Sequence, residues 1–543
     1  MKRWRKMKNI RLNYIKNILT PCILLSCVTG ILTGIVIFLF EISADWVMKL
    51  SNELYSAVRL NPQYLPLLLG GALVLGLISV CTVKFLGIAK GGGIPTAIAL
   101  VRGLIEFRWL RSLFATFTSA LVTFFAGIPL GNEGPSVQMG TAIGRGTVKL
   151  FSSKKTAWDR YIMTGGAAAG FAAATSAPLT GIFFILEETH RRFSPMLFMS
   201  AASAVIASAT TLEILHSEFQ PAHTLLPFDI TVKLEIKYLY MVCVIGLLCG
   251  VTAIIFTKAH ELIGNFLNNR FSKLSLFIKI PAIFVLTALI GFFASEILGT
   301  GRSIISEMLY GNGAWYMLLI YFSVRAILLM VANNLGVTGG LFVPSLTFGA
   351  IIGSLCARVF TELGLLPEEY APVLVIVGIT AFLSAFSRIP ITAVVFAIEA
   401  LNGLVNILPV AIGATISYAV IEIAGIHSFN DLVIETKVKA ENKEKTPHLV
   451  DTNFVIKPEA FVIGKEIRDI LWPPTCVITS VRKNQNSDTH SPFLEEGDIL
   501  HLHYRTTNPE HTFQKLEDLI GKQSEDLRTF EKAVSEYHQV PEN

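Results

Sequence analysis

GNEGPSVQMGTAIG, residues 131–144, follows directly on the apolar run LFATFTSALVTFFAGIPL (113–130). The order puts a carboxylate, Glu133, at membrane depth, between Gly131 and the pair Gly134–Pro135. Ionisable groups are costly there and mark function by default. The flanking Gly and Pro also interrupt the apolar run beside the acid. The rest of the chain agrees with a membrane setting. Of 543 residues, 52% are hydrophobic and 16% charged, too apolar for an ordinary soluble protein. Apolar runs include 18–41, 66–89, 111–130, 161–186, 238–257, 279–298, 316–332, 371–386 and 405–425. A membrane-crossing helix needs about 20 such residues. Several runs reach that length. Others are short or broken by Gly and Pro, as half-helices ending inside a protein are. The reading is an all-α polytopic membrane protein.

Composition divides the chain. Residues 1–17, MKRWRKMKNIRLNYIKN, are basic. No small-residue cleavage site follows, so the first apolar helix is read as retained, and the positive-inside rule places this end in the cytoplasm. The net charge of +5 adds little more. Residues 18–437 are read as the membrane domain and the charged stretch 438–448 as a linker. Residues 449–510 are read as a small α+β cytoplasmic domain, with strands in NFVIKP, CVITSVRK and DILHLHYR. Residues 511–543 read as a polar helical tail. The seven cysteines form no CxxC pair and are read as small hydrophobes, not disulfides or metal ligands. His501 and His503 alternate along a strand, where exposed histidines are commoner than metal ligands. No cofactor, metal or nucleic-acid partner is expected.

The membrane part repeats. PSVQMGTAIG (135–144) and PSLTFGAIIG (344–353) share P-S-x-x-x-G-x-x-x-G. SAPLTGIFFILEE (176–188) matches SRIPITAVVFAIEA (387–400), with Pro178, Thr180, Phe184 and Glu187 opposite Pro390, Thr392, Phe396 and Glu399. The offsets are 209 and 212 residues. Two landmarks in one order predict two related halves, with a transport site between them where the helices break. The spaced glycines also suit close helix packing.

Three clusters carry the chemistry: KGGGIP (90–95), GNEGP (131–135) and GGLFVP (339–344). In each, Gly precedes a Pro that fits the first turn of a helix. Helix N-termini so exposed bind anions through free N–H groups. Gly92, Gly93, Ile94, Asn132 and Gly134 are thereby candidate anion-binding positions. Glu133 itself is a candidate gate. Its carboxylate takes an anion position when ionised and leaves it when protonated.

These clusters resemble those of the CLC family of anion channels and proton-coupled anion exchangers. GGGIP is similar to the family's G-S-G-I-P, GNEGP to G-R/K-E-G-P, and GGLFVP to G-x-F-x-P, in the family's order and over about residues 20–436. The resemblance implies an inverted repeat of tilted, broken helices and a homodimer of two independent pores. It implies chloride or another halide and protons as the transported species. Glu133 then corresponds to the external gating glutamate, the amides of Leu341 and Phe342 to central-site anion donors, and Glu188 to the internal proton-transfer glutamate of exchangers. On local grounds Glu187 and Glu188 read equally well as a helix end meeting water, with Arg191 and Arg192 as partners. Three positions depart from the family pattern. Gly92 stands where a central-site serine is usual, Phe429 where a tyrosine is, and Asn132 where a basic residue is. Chloride/proton exchange is the first expectation. A fluoride/proton antiporter and a passive chloride channel are the alternatives. Residues 449–505, with WPP and EEGDIL, resemble the regulatory C-terminal domain of potassium-transport gating subunits, which implies a small regulatory ligand or a dimer contact.

Rival classes lack their motifs. GVTGG (336–340) is not a carbonyl-lined potassium filter. HELIG (260–264) has Gly264 where a zinc protease needs its second His, and LIGKQS (519–524) lacks the upstream Gly of a phosphate loop. The protein is therefore read as a transporter, not an enzyme. Its place is a plasma or inner membrane, crossed many times, with both termini cytoplasmic and lipid around it.

Overall fold

The computed structural model describes residues 19–85, 93–152, 155–219, 232–309, 314–441, 448–458, 460–484 and 491–523. The basic residues of 1–17, Gly92 and the end of the polar tail lie outside them. Among the described residues, sixteen helices fill the membrane domain before residue 424, eight in each half. The first eight are α1 (Thr20–Leu60), α2 (Leu65–Phe85), α3 (Ile94–Arg102), α4 (Trp109–Phe125), α5 (Glu133–Phe151), α6 (Lys155–Thr175), α7 (Pro178–Phe184) and α8 (Pro195–Phe219). The second eight are α9 (Leu239–Arg270), α10 (Leu276–Phe293), α11 (Arg302–Leu309), α12 (Trp315–Asn334), α13 (Phe342–Glu362), α14 (Ala371–Ser387), α15 (Pro390–Ala400) and α16 (Ile407–Ile423). Each half runs long, medium, short, and then through the broken helices that carry the motifs. Among the described residues, nine helices are long and apolar enough to cross a membrane.

Packing repeats as well. α1 lies on α6 and α8, as α9 lies on α14 and α16. Small residues set both long contacts. A Cβ at Gly30 would fall 2.1 Å from the Ala204 carbonyl oxygen on α8, and one at Gly246 3.0 Å from that of Gly413 on α16. The glycines of the P-S-x-x-x-G-x-x-x-G motif do the same one layer in. Gly140 meets Gly166 on α6, and Gly349 meets Gly378 on α14. Such small-residue seams let membrane helices approach closely, where dispersion holds them together.

Three runs end differently from their sequence reading, among them 238–257, which continues as α9 to Arg270. The run 18–41 continues as one helix to Leu60, because Ala44, Ser51, Tyr55 and Val58 keep a buried face beyond the charged residues. The run 161–186 is cut in two at Ser176, whose φ of 52° turns the chain out of the helix just before Pro178.

After α16 the helix α17 (Phe429–Glu441) leads to the C-terminal domain. Strands β1 (His448–Val455), β2 (Cys476–Arg482) and β3 (Ile499–Thr506) form an antiparallel sheet in the order β1-β3-β2. Val450 and Phe454 of β1 and Leu500, Leu502 and Tyr504 of β3 point into its core. Helix α18 (Pro509–Ile520) covers the sheet, with Phe513 5.2 Å from Phe454. His501 bonds Asn453 at 2.8 Å and pairs with Asp451. No group of three or more His, Cys, Asp or Glu among the described residues is placed to hold a metal.

The segment before β2 docks on the membrane domain. The Tyr161 hydroxyl donates to the Asp469 carbonyl at 2.7 Å and accepts from the Leu471 N–H at 3.0 Å. Arg160 donates to the carbonyls of Leu471 and Trp472, and Arg192 to that of Ile470. Phe461 stands edge-on to Trp158, 5.1 Å away.

Candidate functional site

The glycine clusters meet at the middle of the membrane domain. Gly131 and Gly340 exchange both backbone hydrogen bonds, at 2.8 and 2.7 Å, which ties the start of α5 to the start of α13. A Cβ at Gly134 would fall 2.7 Å from the Cα of Gly340 and 2.9 Å from that of Gly93. No other residue type allows three backbones this close. Across the same junction Ser119 and Thr338 share a hydrogen bond of 2.8 Å. The first turns of α3, α5 and α13 therefore converge, and the first N–H groups of each lack acceptors within their own helix.

Glu133 occupies this junction. It is fully buried, and neither carboxylate oxygen makes a hydrogen bond. One oxygen folds back over Gly131, where a Cβ would fall 2.3 Å from it. The backbone N–H groups of Glu133 and of Val343, in the first turn of α13, lie within interacting range without bonding geometry. One guanidinium nitrogen of Arg302 is 3.9 Å from it. A buried charge held this loosely is costly.

The remaining predicted positions fall as follows. Gly93 is at the junction, but its N–H is taken by the Gln138 side-chain oxygen at 3.0 Å. Ile94 and Gly134 are buried beside it. The Asn132 side-chain oxygen accepts from Arg302 at 3.1 Å. Leu341 and Phe342 open α13, and the Phe342 ring stands edge-on to Phe171 and Phe396, 4.9 and 5.2 Å away. Phe429 is buried in an aromatic cluster, 4.7 Å from Phe386 and 4.5 Å from His260. His260, the one histidine of HELIG, bonds Asn333 at 3.1 Å.

Glu187 and Glu188 lie in a π-turn, Ile185–His190, at the end of α7; such wide turns are frequent at functional sites. They diverge. Glu188 is buried, with one carboxylate oxygen bonded by Asn430 and the other unpartnered. Arg102 donates to the backbone carbonyls of Glu188 and Thr189 and pairs with Asp431. Glu187 instead caps α15. It accepts from the N–H groups of Ile391 and Thr392 at 3.0 and 2.7 Å and from the Thr392 hydroxyl at 2.6 Å. Glu399 returns the bond to α7, accepting from the N–H groups of Leu179 and Thr180 and from the Thr180 hydroxyl, each at 2.8 Å. The two matched segments of the repeat thus cap each other. The expected partnership of these acids with Arg191 and Arg192 does not form. Arg191 pairs with Asp431, and Arg192 holds the Ile470 carbonyl.

Sequence reasoning passed over Arg302, Gln138, Asn430 and Arg102, whose roles come from contacts between distant segments. Glu399 had a signal, its place opposite Glu187 in the repeat.

The family model of the voltage gated chloride channel matches residues 73–422. The chain belongs to this family. The match contains Glu133, Glu188 and the glycine clusters and stops before the C-terminal domain. The H(+)/Cl(-) exchange transporter ClcA of Yersinia pseudotuberculosis serotype IB (strain PB1/+) is 29% identical over 416 residues, 73% of this chain and 84% of that protein. ClcA of Vibrio vulnificus (strain YJ016) is 29% identical over 399 residues, 72% of this chain and 84% of that protein. The crystal structure of a slow cyanobacterial Cl−/H+ antiporter superposes with a TM-score of 0.71 at 22% identity, covering 78% of this chain and 99% of that one. A CLC-type fluoride/proton antiporter superposes at 0.62 with 21% identity, covering 76% of this chain and 98% of that one. The protein is an integral membrane protein of the CLC fold.

Proposed function

We propose that the protein exchanges chloride for protons, with Glu133 as the gate and Glu188 as the inner proton-transfer residue. The observation that carries this reading is the buried Glu133 carboxylate, without a hydrogen bond, where three glycine-lined helix starts meet. Fixed backbone dipoles there stabilise one negative charge. That charge is the carboxylate or a transported anion, not both. A proton on Glu133 removes its claim to the position, and the side chain swings off Gly131 to admit the anion. Amides of Leu341, Phe342, Ile94 and Gly134 would line the anion's place, beside Asn132. Glu188 sits near the cytoplasmic domain, buried and half-satisfied, and can pass a proton inward without touching the anion. The relatives named as H(+)/Cl(-) exchange transporters support chloride.

A specific feature favours fluoride as a second reading. Neither position 92 nor position 429 offers a hydroxyl to a central anion.

The exposed apolar residues Leu179, Phe183, Ile391 and Leu408, around the reciprocal caps, suit a second copy in a homodimer. The docking of the C-terminal domain beside the π-turn suits a regulatory role, with a small ligand acting on the proton branch. Both termini then face the cytoplasm. The gate is tested by Glu133→Ala in liposomes. Chloride flux should continue while proton coupling and pH dependence disappear; protons still pumped against a gradient would reject the assignment.

A further inference from the structure

A small cavity of about 30 Å³, lined by Asn132 and Arg302 next to Glu133, is one that the glycine clusters do not explain. Its walls carry Glu41 and Asp45 from α1, Asn132, Ser176, His216 from α8, and Arg302 from the start of α11. Arg302 crosses from the second half to the gate of the first. One guanidinium nitrogen is 3.1 Å from the Asn132 side-chain oxygen and 3.9 Å from a Glu133 carboxylate oxygen. Among the described residues it is the one cation within ion-pairing reach of that carboxylate. Its Nε has no hydrogen-bond partner, and the bond to Asn132 orients the head. The opposite wall is acidic. The Glu41 carboxylate is 3.9 Å from His216 Nε2, and the His216 ring is edge-on to Phe38 at 5.2 Å.

We propose that Arg302 is a positioning residue that sets the pH at which the gate opens, by holding Glu133 ionised and seated over Gly131. This rests on Glu133 being the gate. The ionised carboxylate is drawn to the guanidinium, and the neutral acid is not. The cation therefore favours the closed, charged state, and proton uptake must overcome the pair. Glu41 and Asp45, on α1, compete for the same cation and weaken its hold. His216, on α8, tempers Glu41 when it carries a proton. Asn132 and Ser176 add only dipoles. An opposite charge at this range moves a carboxyl's proton uptake by about 1 to 3 pH units.

The test is chloride flux against external pH for full-length protein in liposomes. Arg302→Gln keeps a donor for Asn132 but loses the charge. The pH of half-maximal flux should rise by about 1 unit or more. Arg302→Lys should restore the wild-type midpoint. Glu41→Gln leaves Arg302 in place and should move the midpoint down, which keeps the test open if Arg302→Gln misfolds. An unmoved midpoint in Arg302→Gln, or equal shifts in the Gln and Lys variants, would overturn the proposal. Glu133→Gln separates the two ideas. A flat profile there, with an unmoved one in Arg302→Gln, rejects Arg302 and keeps the gate. A wild-type profile in Glu133→Gln rejects the gate, and this proposal with it.

Discussion

Glu187→Ala should destabilise the protein without touching proton transport, although Glu187 is the neighbour of the proposed proton residue. The carboxylate accepts three hydrogen bonds at the start of α15. Thr392 is fully buried, so its N–H and hydroxyl would lose their acceptor with no water to replace it. A buried donor left unsatisfied costs about 1 to 3 kcal/mol. Ile391 is exposed at that helix end, but against an apolar second copy or lipid its N–H is no better served. The total for Glu187→Ala is about 3 kcal/mol, reduced to about 1 kcal/mol in Glu187→Gln, which retains one acceptor oxygen. The repeat sharpens the expectation. Glu399 makes the same three bonds to α7, around an equally buried Thr180. Glu399→Ala should cost the same within about 0.5 kcal/mol. Unfolding in detergent, followed by circular dichroism against urea, measures both losses, and proton uptake in liposomes is recorded beside them. The reasoning fails if Glu187→Ala is as stable as wild type while Glu399→Ala is not. It also fails if Glu187→Gln stops proton movement at unchanged stability, which would exchange the roles of the two adjacent acids.

Glu188→Gln should stop proton movement and leave passive chloride flux, because it preserves the volume and the Asn430 contact but cannot release a proton; uphill proton transport persisting would mean another relay. Gly92→Ser should strengthen chloride relative to fluoride in flux competition, and an unchanged ratio would remove position 92 from the anion site. Asp498, in EEGDIL, is buried, which raises its proton affinity, but the N–H groups of Glu495 and Asn484 and the Lys483 ammonium outweigh this and hold its carboxyl below the usual range. Its folded state therefore binds the proton less readily than the unfolded chain. The resulting stability is present above the ordinary aspartate value near pH 4 and is lost as pH falls below it through the lower folded value. Asp498→Asn should lower the unfolding free energy of the C-terminal domain by about 2 kcal/mol at neutral pH and flatten its acid dependence, read by tryptophan fluorescence of Trp472.

The break beside Glu133 was legible because Gly and Pro act on their own backbone, and the halves were legible because both keep the same motifs; the cut before Pro178 was not, because 161–186 reads as one apolar run. The meeting of the glycine clusters followed from their chemistry. Other features depend on distant partners. Nothing in GRSI (301–304) identifies Arg302, since its meaning comes from Asn132 and Glu133, about 170 residues earlier. The reach of α1 to Leu60 was hidden because Glu41, Asp45 and Lys49 resemble the end of a span, while the buried face opposite them continues. The docking of residues 469–472 is carried largely by backbone groups, which leave no mark in side-chain pattern. The matched positions of Glu187 and Glu399 were visible, but their reciprocal capping required the two helix starts to be seen side by side.

Exchange of chloride for protons through a gate at Glu133 requires the two ions to move together. Its most direct test is proton movement in liposomes that hold purified full-length protein and are loaded with chloride against a low external concentration. Chloride leaving should draw protons inward against an imposed pH gradient, and Glu133→Gln should abolish that uptake. Chloride flux with no proton movement in the wild-type protein would contradict exchange and leave a passive channel. Proton uptake driven by fluoride but not by chloride would contradict the choice of anion.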